Sequence, residues 1–162
     1  DNEQSELYLT DCIEILYNDG KKVMAFTAND ADEFYGINNK KELAQAKKIL
    51  QKRVNENHML NGVIIEDPEM IVIDPEVKIG MDTIISGPVK ILGKTEIGSN
   101  CIIEGSSRIE DSILKDGVKI DNSVIEKSFI DENSDVGPYA HLRPKASLGK
   151  NAHIGNFVEV KN

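Results

Sequence analysis

A six-residue repeat of apolar side chains between Ile71 and Val160 constrains this chain more than any other feature. The large apolar positions are Ile73, Ile79, Ile85, Ile91, Ile97, Ile103, Ile109, Leu114, Ile120, Ile125, Ile130, Val136, Leu142, Leu148, Ile154 and Val160, with three steps of five residues instead of six. Smaller side chains precede them by two residues, at Val77, Thr83, Val89, Thr95, Cys101, Ser107, Ser112, Val118, Ser123, Ser128, Ser134, Ala140, Ala146, Ala152 and Val158. Side chains two apart on a strand face the same way, so each repeat predicts one short strand with a large and a small residue facing inward.

The period itself excludes other architectures. Six residues turn an α-helix by about 600°, which builds no apolar stripe. A β-sandwich would show less regular spacing. The repeat therefore predicts a parallel β-helix with coils stacked in a column, and a β-helix that serves only as a scaffold is an open alternative. Five glycines directly follow large residues, where the chain is expected to turn: Gly80, Gly98, Gly137, Gly149 and Gly155.

Composition narrows the possible functions. The formal net charge of −9 argues against general nucleic-acid binding. No apolar run approaches 18 residues, so no membrane span is expected. Cys12 and Cys101 have no metal-binding spacing, and Cys101 takes an inward position, which predicts a buried free thiol and a cytoplasmic setting. The chain begins at Asp1 without Met, which we interpret as the start of a piece of a longer protein.

The N-terminal third predicts helices and one strand before the coils. Thr10 or Asp11 can cap a helix that runs to about Asn18, and residues 22–27 have the pattern of a strand. A capping box of Asn39 and Glu42 predicts a second helix, which ends near Glu56. The apolar face expected for this second helix consists of Leu43, Ala46, Ile49, Leu50 and Val54.

Two cations mark the clearest candidate site. Arg143 and Lys161 each follow a large residue of the repeat, and they are 18 residues apart. If three repeats make one coil, the two residues stack about 4.8 Å apart at the backbone. Like charges in such register are unfavourable, and an anionic ligand between them would remove that cost. A pairing of Arg143 with Glu126, one coil below, or simple solvation of both cations would also explain the pattern.

His141 and His153 flank this region. They are two repeats apart, which places them on different faces of the predicted column, so we do not expect them to share a metal ion. Between His141 and Asn162 the chain carries four Lys or Arg and one Glu, although it is acidic elsewhere. That local excess of positive charge agrees with a site for anionic ligands.

The order of short motifs along the chain points to a family. The motifs are Tyr-Leu-Thr-Asp at 8–11, Gly-Ile-Asn-Asn at 36–39, His-Met at 58–59, Asp-Pro at 67–68, Gly-Pro-Tyr-Ala-His-Leu-Arg-Pro at 137–144 and His-Ile-Gly-Asn-Phe-Val-Glu-Val-Lys at 153–161. With the linker helix and the repeats, they resemble the bifunctional bacterial N-acetylglucosamine-1-phosphate uridylyltransferases/glucosamine-1-phosphate acetyltransferases. The last two motifs are the most specific, since many acyltransferases carry six-residue repeats.

This resemblance implies a left-handed parallel β-helix that forms a homotrimer. It divides the chain into the end of a uridylyltransferase domain with a small α/β remnant (1–40), a linker helix (41–61) and the start of a β-helical acetyltransferase domain (62–162). It implies acetyl transfer from acetyl-CoA to glucosamine-1-phosphate. It also implies uridylyl transfer from UTP to N-acetylglucosamine-1-phosphate with Mg²⁺, which gives UDP-N-acetylglucosamine for the cell wall.

The resemblance also assigns roles to three residues. Asn38 matches the family asparagine that coordinates Mg²⁺ and contacts the nucleotide sugar, although from the residues alone it would be a loop or helix-cap residue. Arg143 and Lys161 match family residues that contact the sugar phosphate in the acetyltransferase site. From sequence alone we assign no metal or catalytic role to His141 or His153.

The family also implies what this chain would not do by itself. Its glycine-rich nucleotide loop lies upstream of Asp1, and its acetyltransfer base is a histidine beyond Asn162, a position that none of His58, His141 and His153 matches. The chain alone is therefore expected to catalyse neither reaction. Two alternatives remain: another hexapeptide-repeat sugar-nucleotide pyrophosphorylase with a regulatory β-helix, and a non-catalytic trimeric scaffold.

Overall fold

The computed structural model describes residues 8–161, so residues 1–7 and 162 of the first and last predicted domains lie outside the described residues. The chain divides into two compact units, Asp1–Gly36 and Ile37–Asn162. Within residues 8–161, no helix combines the length and the hydropathy that a membrane span requires.

The described part of the first unit is helical. It contains helix α1 (Asp11–Asn18) and a short 3-10 helix (Ala31–Phe34), and Gly20 follows α1 with a φ of +69°. The predicted strand at 22–27 is wrong, because those residues have no regular structure. A strand needs a neighbour for its N–H and C=O groups, and the described residues of this unit offer none. The α/β remnant expected here therefore has no strand in its described part.

Helix α2 (Lys40–Leu60) opens the second unit and begins where the capping box predicts. The Asn39 side chain accepts a hydrogen bond from the Glu42 N–H at 2.9 Å. The Glu42 carboxylate accepts from the Asn38 N–H at 2.6 Å, one residue earlier than in the usual capping box. The helix continues past the predicted end at Glu56.

Helix α2 covers the open end of the first coil with amide side chains. Gln51 donates to the Ile73 carbonyl at 3.2 Å, and Asn55 donates to the carbonyls of Pro68 and Ile71 at 2.8 and 3.1 Å. No earlier coil supplies N–H groups to these carbonyls, so the side-chain amides satisfy them instead. Asn55 is consequently the most deeply buried residue of the helix.

The predicted apolar face of α2 is confirmed only in part. Leu43 and Leu50 are about half exposed, whereas Val54 packs against the core. The buried helix residues are instead Asn55 and His58, and burial lowers the pKa of His58. The reason for the difference is the surface that the helix covers, because a rim of backbone carbonyls selects amide donors as well as aliphatic groups.

In the described part of the chain, 17 short strands follow α2. They are β1 (Ile64–Ile65), β2 (Val72–Ile73), β3 (Lys78–Ile79), β4 (Ile84–Ile85), β5 (Lys90–Leu92), β6 (Glu96–Ile97), β7 (Ile102–Glu104), β8 (Arg108–Glu110), β9 (Ile113–Leu114), β10 (Lys119–Asp121), β11 (Val124–Glu126), β12 (Phe129–Ile130), β13 (Asp135–Val136), β14 (His141–Leu142), β15 (Ser147–Leu148), β16 (His153–Ile154) and β17 (Glu159–Val160).

The strands form three parallel sheets that together make a β-helix. The first sheet has the order β1-β4-β7-β10-β13-β16, the second β2-β5-β8-β11-β14-β17 and the third β3-β6-β9-β12-β15. Consecutive strands belong to consecutive sheets, so three strands complete one coil. The predicted mainly-β fold, a parallel β-helix preceded by a helix, is confirmed. Its left-handed sense stays a prediction, because strand order and register are the same for both hands.

The register aligns the large residues of successive coils even where the repeat is shortened. Ile91 pairs with Ile109, and Leu142 pairs with Val160, which matches the predicted coil of 18 residues. The five-residue steps give shorter coils, in which Ile109 pairs with Ile125. The corners between strands absorb the missing residues, so the inward column remains continuous.

Both predicted inward columns are buried over most of their length, although Val158 in the last coil is exposed. The fully buried large side chains include Ile73, Ile85, Ile91, Ile103, Ile109, Leu114, Ile120, Ile125, Ile130 and Leu142. Ile79, Ile154 and Val160 are only partly buried. The column of small residues contains seven buried hydroxyls, at Thr83, Thr95, Ser107, Ser112, Ser123, Ser128 and Ser134.

The buried hydroxyls connect successive coils. Ser107 donates to the Glu104 carbonyl at 2.6 Å and accepts from the Ser123 N–H at 3.2 Å. Ser123 in turn donates to the Asp121 carbonyl at 2.6 Å and accepts from the Ala140 N–H at 3.1 Å. Among the described residues, no buried side-chain nitrogen or oxygen lacks a partner. We call this column of Ser and Thr residues the hydroxyl ladder.

Cys101 continues the column of small residues as the predicted buried thiol. Its N–H donates to the Thr83 hydroxyl at 3.1 Å, and its Sγ lies 3.2 Å from the Lys115 carbonyl oxygen. Burial raises the pKa of the Cys101 thiol. Cys12, the other cysteine, is exposed and free.

The turns use other residues than the five predicted glycines. Left-handed backbone occurs mainly three residues before a large position, at Asp82, Asn100, Asp111, Asn122, Lys127, Asn133, Tyr139, Lys145, Asn151 and Phe157. Of the five glycines, only Gly137 has a positive φ. Gly98 is needed for a different reason, because a Cβ there would lie 2.6 Å from the backbone nitrogen of Asp116 in the next coil. Gly80 meets the next coil in the same way, whereas Gly149 has open space around it.

Candidate anion-binding site

Charged side chains occupy the outer face of the second sheet over four successive coils. We call them the charge ladder: Arg108 and Glu110 on β8, Glu126 on β11, His141 on β14 with Arg143 just after it, and Glu159 on β17 with Lys161 just after it. Side chains alternate between the two faces of a strand, so residues on either side of an inward aliphatic residue point outward. The parallel register then stacks these outward side chains along the column.

The structure brings Arg143 and Lys161 together. Leu142 pairs with Val160, and the Arg143 N–H donates to the Val160 carbonyl at 3.0 Å. The two cations therefore follow paired residues on neighbouring strands, at a backbone spacing of about 4.8 Å. This is the arrangement that the 18-residue spacing predicts.

Glu159 lies between the two cations, and the sequence pattern alone does not reveal it as their partner. Arg143 Nη1 donates to Glu159 Oε1 at 3.0 Å, and Lys161 Nζ lies 3.2 Å from Glu159 Oε2. These contacts lower the pKa of the Glu159 carboxyl, with the larger effect from Lys161. Glu159 precedes Lys161 by two residues, so the sequence does indicate that the two side chains share a face. It does not indicate that Glu159 contacts both cations.

Glu126 does not bind Arg143, so the pairing considered from the sequence is wrong. Glu126 Oε1 accepts from Arg108 Nη1 at 2.9 Å, and Glu126 Oε2 lies 3.1 Å from His141 Nε2. Arg108 also contacts Glu110 on its own strand. The contact with His141, and then the contact with Arg108, lowers the pKa of Glu126. Both oxygens of Glu126 are therefore occupied by side chains other than Arg143.

The upper end of the ladder is suited to binding an anion. Two cations face one carboxylate, which leaves an excess of one positive charge on Arg143, Glu159 and Lys161 together. The side chains of Arg143 and Lys161 are 51% and 65% exposed, so a ligand can reach both. Arginine offers parallel donors that match a phosphate or carboxylate. These three side chains therefore form the candidate anion-binding site.

The two histidines lie on different sheets, as predicted. His141 belongs to β14 of the second sheet, whereas His153 belongs to β16 of the first sheet and contacts Asp135 one coil below. Over residues 8–161, no group of three or more His, Cys, Asp or Glu side chains is arranged to hold a metal ion.

Asn38, the residue assigned to Mg²⁺ by resemblance, lies on the exposed turn before α2. Its neighbour Glu42 accepts the Asn38 N–H, and this backbone contact lowers the pKa of the Glu42 carboxyl. Mg²⁺ is usually held by one or two carboxylates, phosphates and water. The Glu42 carboxylate caps the helix in this structure, and the Mg²⁺-binding role of Asn38 stays a prediction.

Comparison with known proteins identifies the family of the β-helix. The model of the family described as the GMPPB C-terminal domain matches residues 64–162, which comprise all 17 strands. The chain belongs to the GMPPB C-terminal domain family. Membership in this family agrees with the six-residue repeat, because the matched range is the part of the chain that carries it.

Curated relatives of this GMPPB C-terminal domain protein extend the similarity to the N-terminal third. The chain is 54% identical over 161 residues to the bifunctional protein GlmU of Lactobacillus johnsonii, and the alignment covers 99% of the chain. The GlmU proteins of Enterococcus faecalis and Clostridioides difficile are 53% and 50% identical over the same length. The resemblance to the bifunctional enzymes is thus confirmed. The chain spans 35% of the length of these relatives.

A solved structure has a similar fold. It is a GDP-perosamine N-acetyl transferase variant from Caulobacter crescentus in complex with CoA and GDP-perosamine, with a TM-score of 0.59. The match covers 72% of this chain and 57% of the other at 18% sequence identity. At this identity the likeness concerns the fold alone.

Proposed function

We propose that this chain is a segment of a bifunctional enzyme that makes UDP-N-acetylglucosamine. The enzyme transfers an acetyl group from acetyl-CoA to glucosamine-1-phosphate and then a uridylyl group from UTP to N-acetylglucosamine-1-phosphate. The observation that carries this proposal is the 54% identity to a bifunctional GlmU protein over nearly the whole chain. Residues 1–40 then belong to the uridylyltransferase domain, 41–61 to the linker and 62–162 to the acetyltransferase domain.

Within this function, the upper end of the charge ladder, formed by Arg143, Glu159 and Lys161, binds the phosphate of the sugar phosphate. Arg143 and Lys161 supply the donors, and Glu159 holds both side chains in place before the ligand arrives. A phosphate dianion competes with Glu159 for the same donors, and it brings one more negative charge than the carboxylate does. The chain's own residues therefore bind and orient the substrate, and we assign them no step of the acetyl transfer itself.

The remaining parts of the proposal concern the intact protein. Asn38 would contribute its amide oxygen to a Mg²⁺ ion whose other ligands come from phosphate, water and further residues, and the metal would neutralise phosphate charge. The working form is a homotrimer in the cytoplasm. Light scattering measures the subunit number of the intact protein, and a monomer would contradict this part of the proposal.

The phosphate-binding role is tested by calorimetric titration of the chain with glucosamine-1-phosphate. Arg143→Ala removes charge-assisted hydrogen bonds, so we expect the affinity to fall about ten- to a hundredfold. Lys78→Ala is the matched control, because Lys78 is also a coil cation paired with a glutamate, Glu96, but on the third sheet. This control should bind as the unmodified chain does.

Two outcomes count against the role. Equal affinities of the Arg143→Ala and Lys78→Ala variants would mean that Arg143 has no special part in binding the sugar phosphate. No measurable binding by the unmodified chain would favour the alternative of a non-catalytic trimeric scaffold. A regulatory β-helix would instead prefer a nucleotide sugar to glucosamine-1-phosphate in the same titration.

A further inference from the structure

Glu126 is the carboxylate that stands opposite Arg143 in strand register, whereas Glu159 stands opposite His141. Ile125 on β11 pairs with Leu142 on β14, so the residues that follow them, Glu126 and Arg143, stand opposite each other on neighbouring strands. The backbone spacing is about 4.8 Å, within easy reach of a glutamate and an arginine. A direct ion pair between these two side chains would therefore need no change in the backbone.

The ladder holds Glu126 away from this neighbour. Arg108, one coil below, takes Oε1 at 2.9 Å, and His141 lies 3.1 Å from Oε2. Glu126 is thus fixed by one partner on β8, the strand one coil below, and by one partner on β14, the strand that Arg143 follows. Among the residues that the structure describes, Arg143 makes its ion pair with Glu159.

The charge balance explains why this matters. Arg143, Lys161 and Glu159 carry an excess of one positive charge. If Glu126 turned to Arg143, the two carboxylates would balance the two cations, and the attraction for an anion would be lost. Arg143 would also have fewer free donors for a phosphate oxygen.

We propose that Arg108 and His141 are positioning residues for the anion site, which keep Glu126 from becoming a second, competing carboxylate on Arg143. This inference rests on the proposed phosphate-binding function of Arg143. The ligand class is a phosphate monoester such as a sugar phosphate. Neither Arg108 nor His141 contacts the ligand, and both act through the position of Glu126.

The test is a set of calorimetric titrations of the full chain with glucosamine-1-phosphate. His141→Ala and Arg108→Gln should each weaken binding about two- to fivefold, the range expected for a partly exposed ion pair. Adding Glu126→Gln to His141→Ala should restore the affinity, whereas Glu126→Gln alone should change it less than twofold. A role of His141 that is merely structural would not be rescued by Glu126→Gln.

The matched control is His153→Ala. His153 also contacts an acidic residue one coil below, Asp135, but on the first sheet, so its removal should leave the affinity unchanged. Circular dichroism confirms that each variant keeps its β-helix. A weakening by His153→Ala equal to that by His141→Ala would overturn the inference.

Arg143→Ala separates the two proposals. If it leaves the affinity unchanged, the phosphate-binding function is wrong. If it abolishes binding but His141→Ala does not weaken binding, or Glu126→Gln does not rescue it, this inference alone is wrong. A crystal structure of the Arg108→Gln/His141→Ala variant gives an independent answer. We expect Glu126 within hydrogen-bond distance of Arg143, and a Glu126 that stays clear of Arg143 would refute the positioning role.

Discussion

The hydroxyl ladder inside the β-helix and the charge ladder outside it are built by the same register of parallel strands. Inside, six of the seven buried hydroxyls donate to a carbonyl and accept from the N–H of the next small residue one coil above. The exception is Ser128, whose hydroxyl lies within hydrogen-bond distance of two carbonyls. Outside, the partners change from coil to coil, as Arg108 binds two carboxylates and Glu126 binds two bases. The inner column therefore repeats nearly the same hydrogen bonds at each coil, whereas the ion pairs of the outer column differ from coil to coil.

The difference reflects the presence of water. A buried hydroxyl or N–H without a partner costs about 1–3 kcal/mol, so each inner position must be satisfied within the coil. An exposed charge can be solvated instead, and a surface ion pair contributes at most about 1 kcal/mol. The inner column therefore contributes much of the stability. The outer column can change its ion pairs at little cost in stability. Three substitutions test this contrast, from the largest expected effect to the smallest.

The largest effect is expected from Ile109→Ala in the inner column. Ile109 is fully buried between Ile91 and Ile125, so its truncation leaves a cavity and should lower the free energy of unfolding by about 2–5 kcal/mol. Urea unfolding followed by circular dichroism measures the change. Ile113→Ala is the control, because Ile113 lies on β9, the next strand along the chain, with 40% of its surface exposed. Similar losses for both variants would contradict the predicted division between core and surface.

An intermediate effect is expected from Ser123→Ala in the hydroxyl ladder. The change removes the acceptor of the Ala140 N–H, so we expect a loss of about 1–3 kcal/mol in the same unfolding experiment. Ser147→Ala, at an exposed position on β15, should have little effect. If the Ser123→Ala variant were as stable as the unmodified chain, the hydrogen bonds of the hydroxyl ladder would make no measurable contribution to the free energy of unfolding.

The smallest effect is expected from Glu126→Gln in the charge ladder. The pKa of Glu126 is lowered in the folded chain by His141 and Arg108, so the ionised form stabilises the fold. That contribution is present above the unfolded pKa of about 4.3 and is lost as the pH falls through the lower folded value. The stability difference between the unmodified chain and the variant should be at most about 1 kcal/mol at neutral pH and should shrink towards zero in acid.

Carboxyl NMR titration checks the same point directly. The titration midpoint of Glu126 should lie below the ordinary value for a glutamate and should rise in the His141→Ala variant, because His141 is the main cause of the shift. In the unfolding experiment, a stability difference between the unmodified chain and Glu126→Gln that grows as the pH falls would contradict the stabilising role of ionised Glu126.

The residues that could be predicted from sequence are those whose environment repeats. The large and small positions were found because burial imposes the same demand at each coil, and the stacking of Arg143 on Lys161 follows from the 18-residue coil. The turn residues were predicted less well. Asn100 and Asn122 have a left-handed backbone, but asparagine is a weaker sequence signal of that conformation than glycine is. Gly98 is required for another reason, because the backbone of the next coil lies close to it.

The partners within the charge ladder could not be predicted. Glu126 can reach Arg108, His141 or Arg143, and the choice depends on side-chain geometry across three strands. The polar docking of α2 could not be predicted either, because the carbonyls that attract Asn55 belong to a coil 13 or more residues away. Strand formation at 22–27 failed as a prediction, since a strand is defined by its neighbour as much as by its own residues.

By itself, the sequence determined the coil, its length, its inward columns and the alignment of Arg143 with Lys161. Each of these follows from a periodic requirement to bury apolar groups, and periodicity is visible in one dimension. Only the tertiary structure decided that Glu159 bridges the two cations and that Glu126 is held by Arg108 and His141. Exposed charges have several partners within reach, and the choice among them depends on distances that no spacing along the chain encodes.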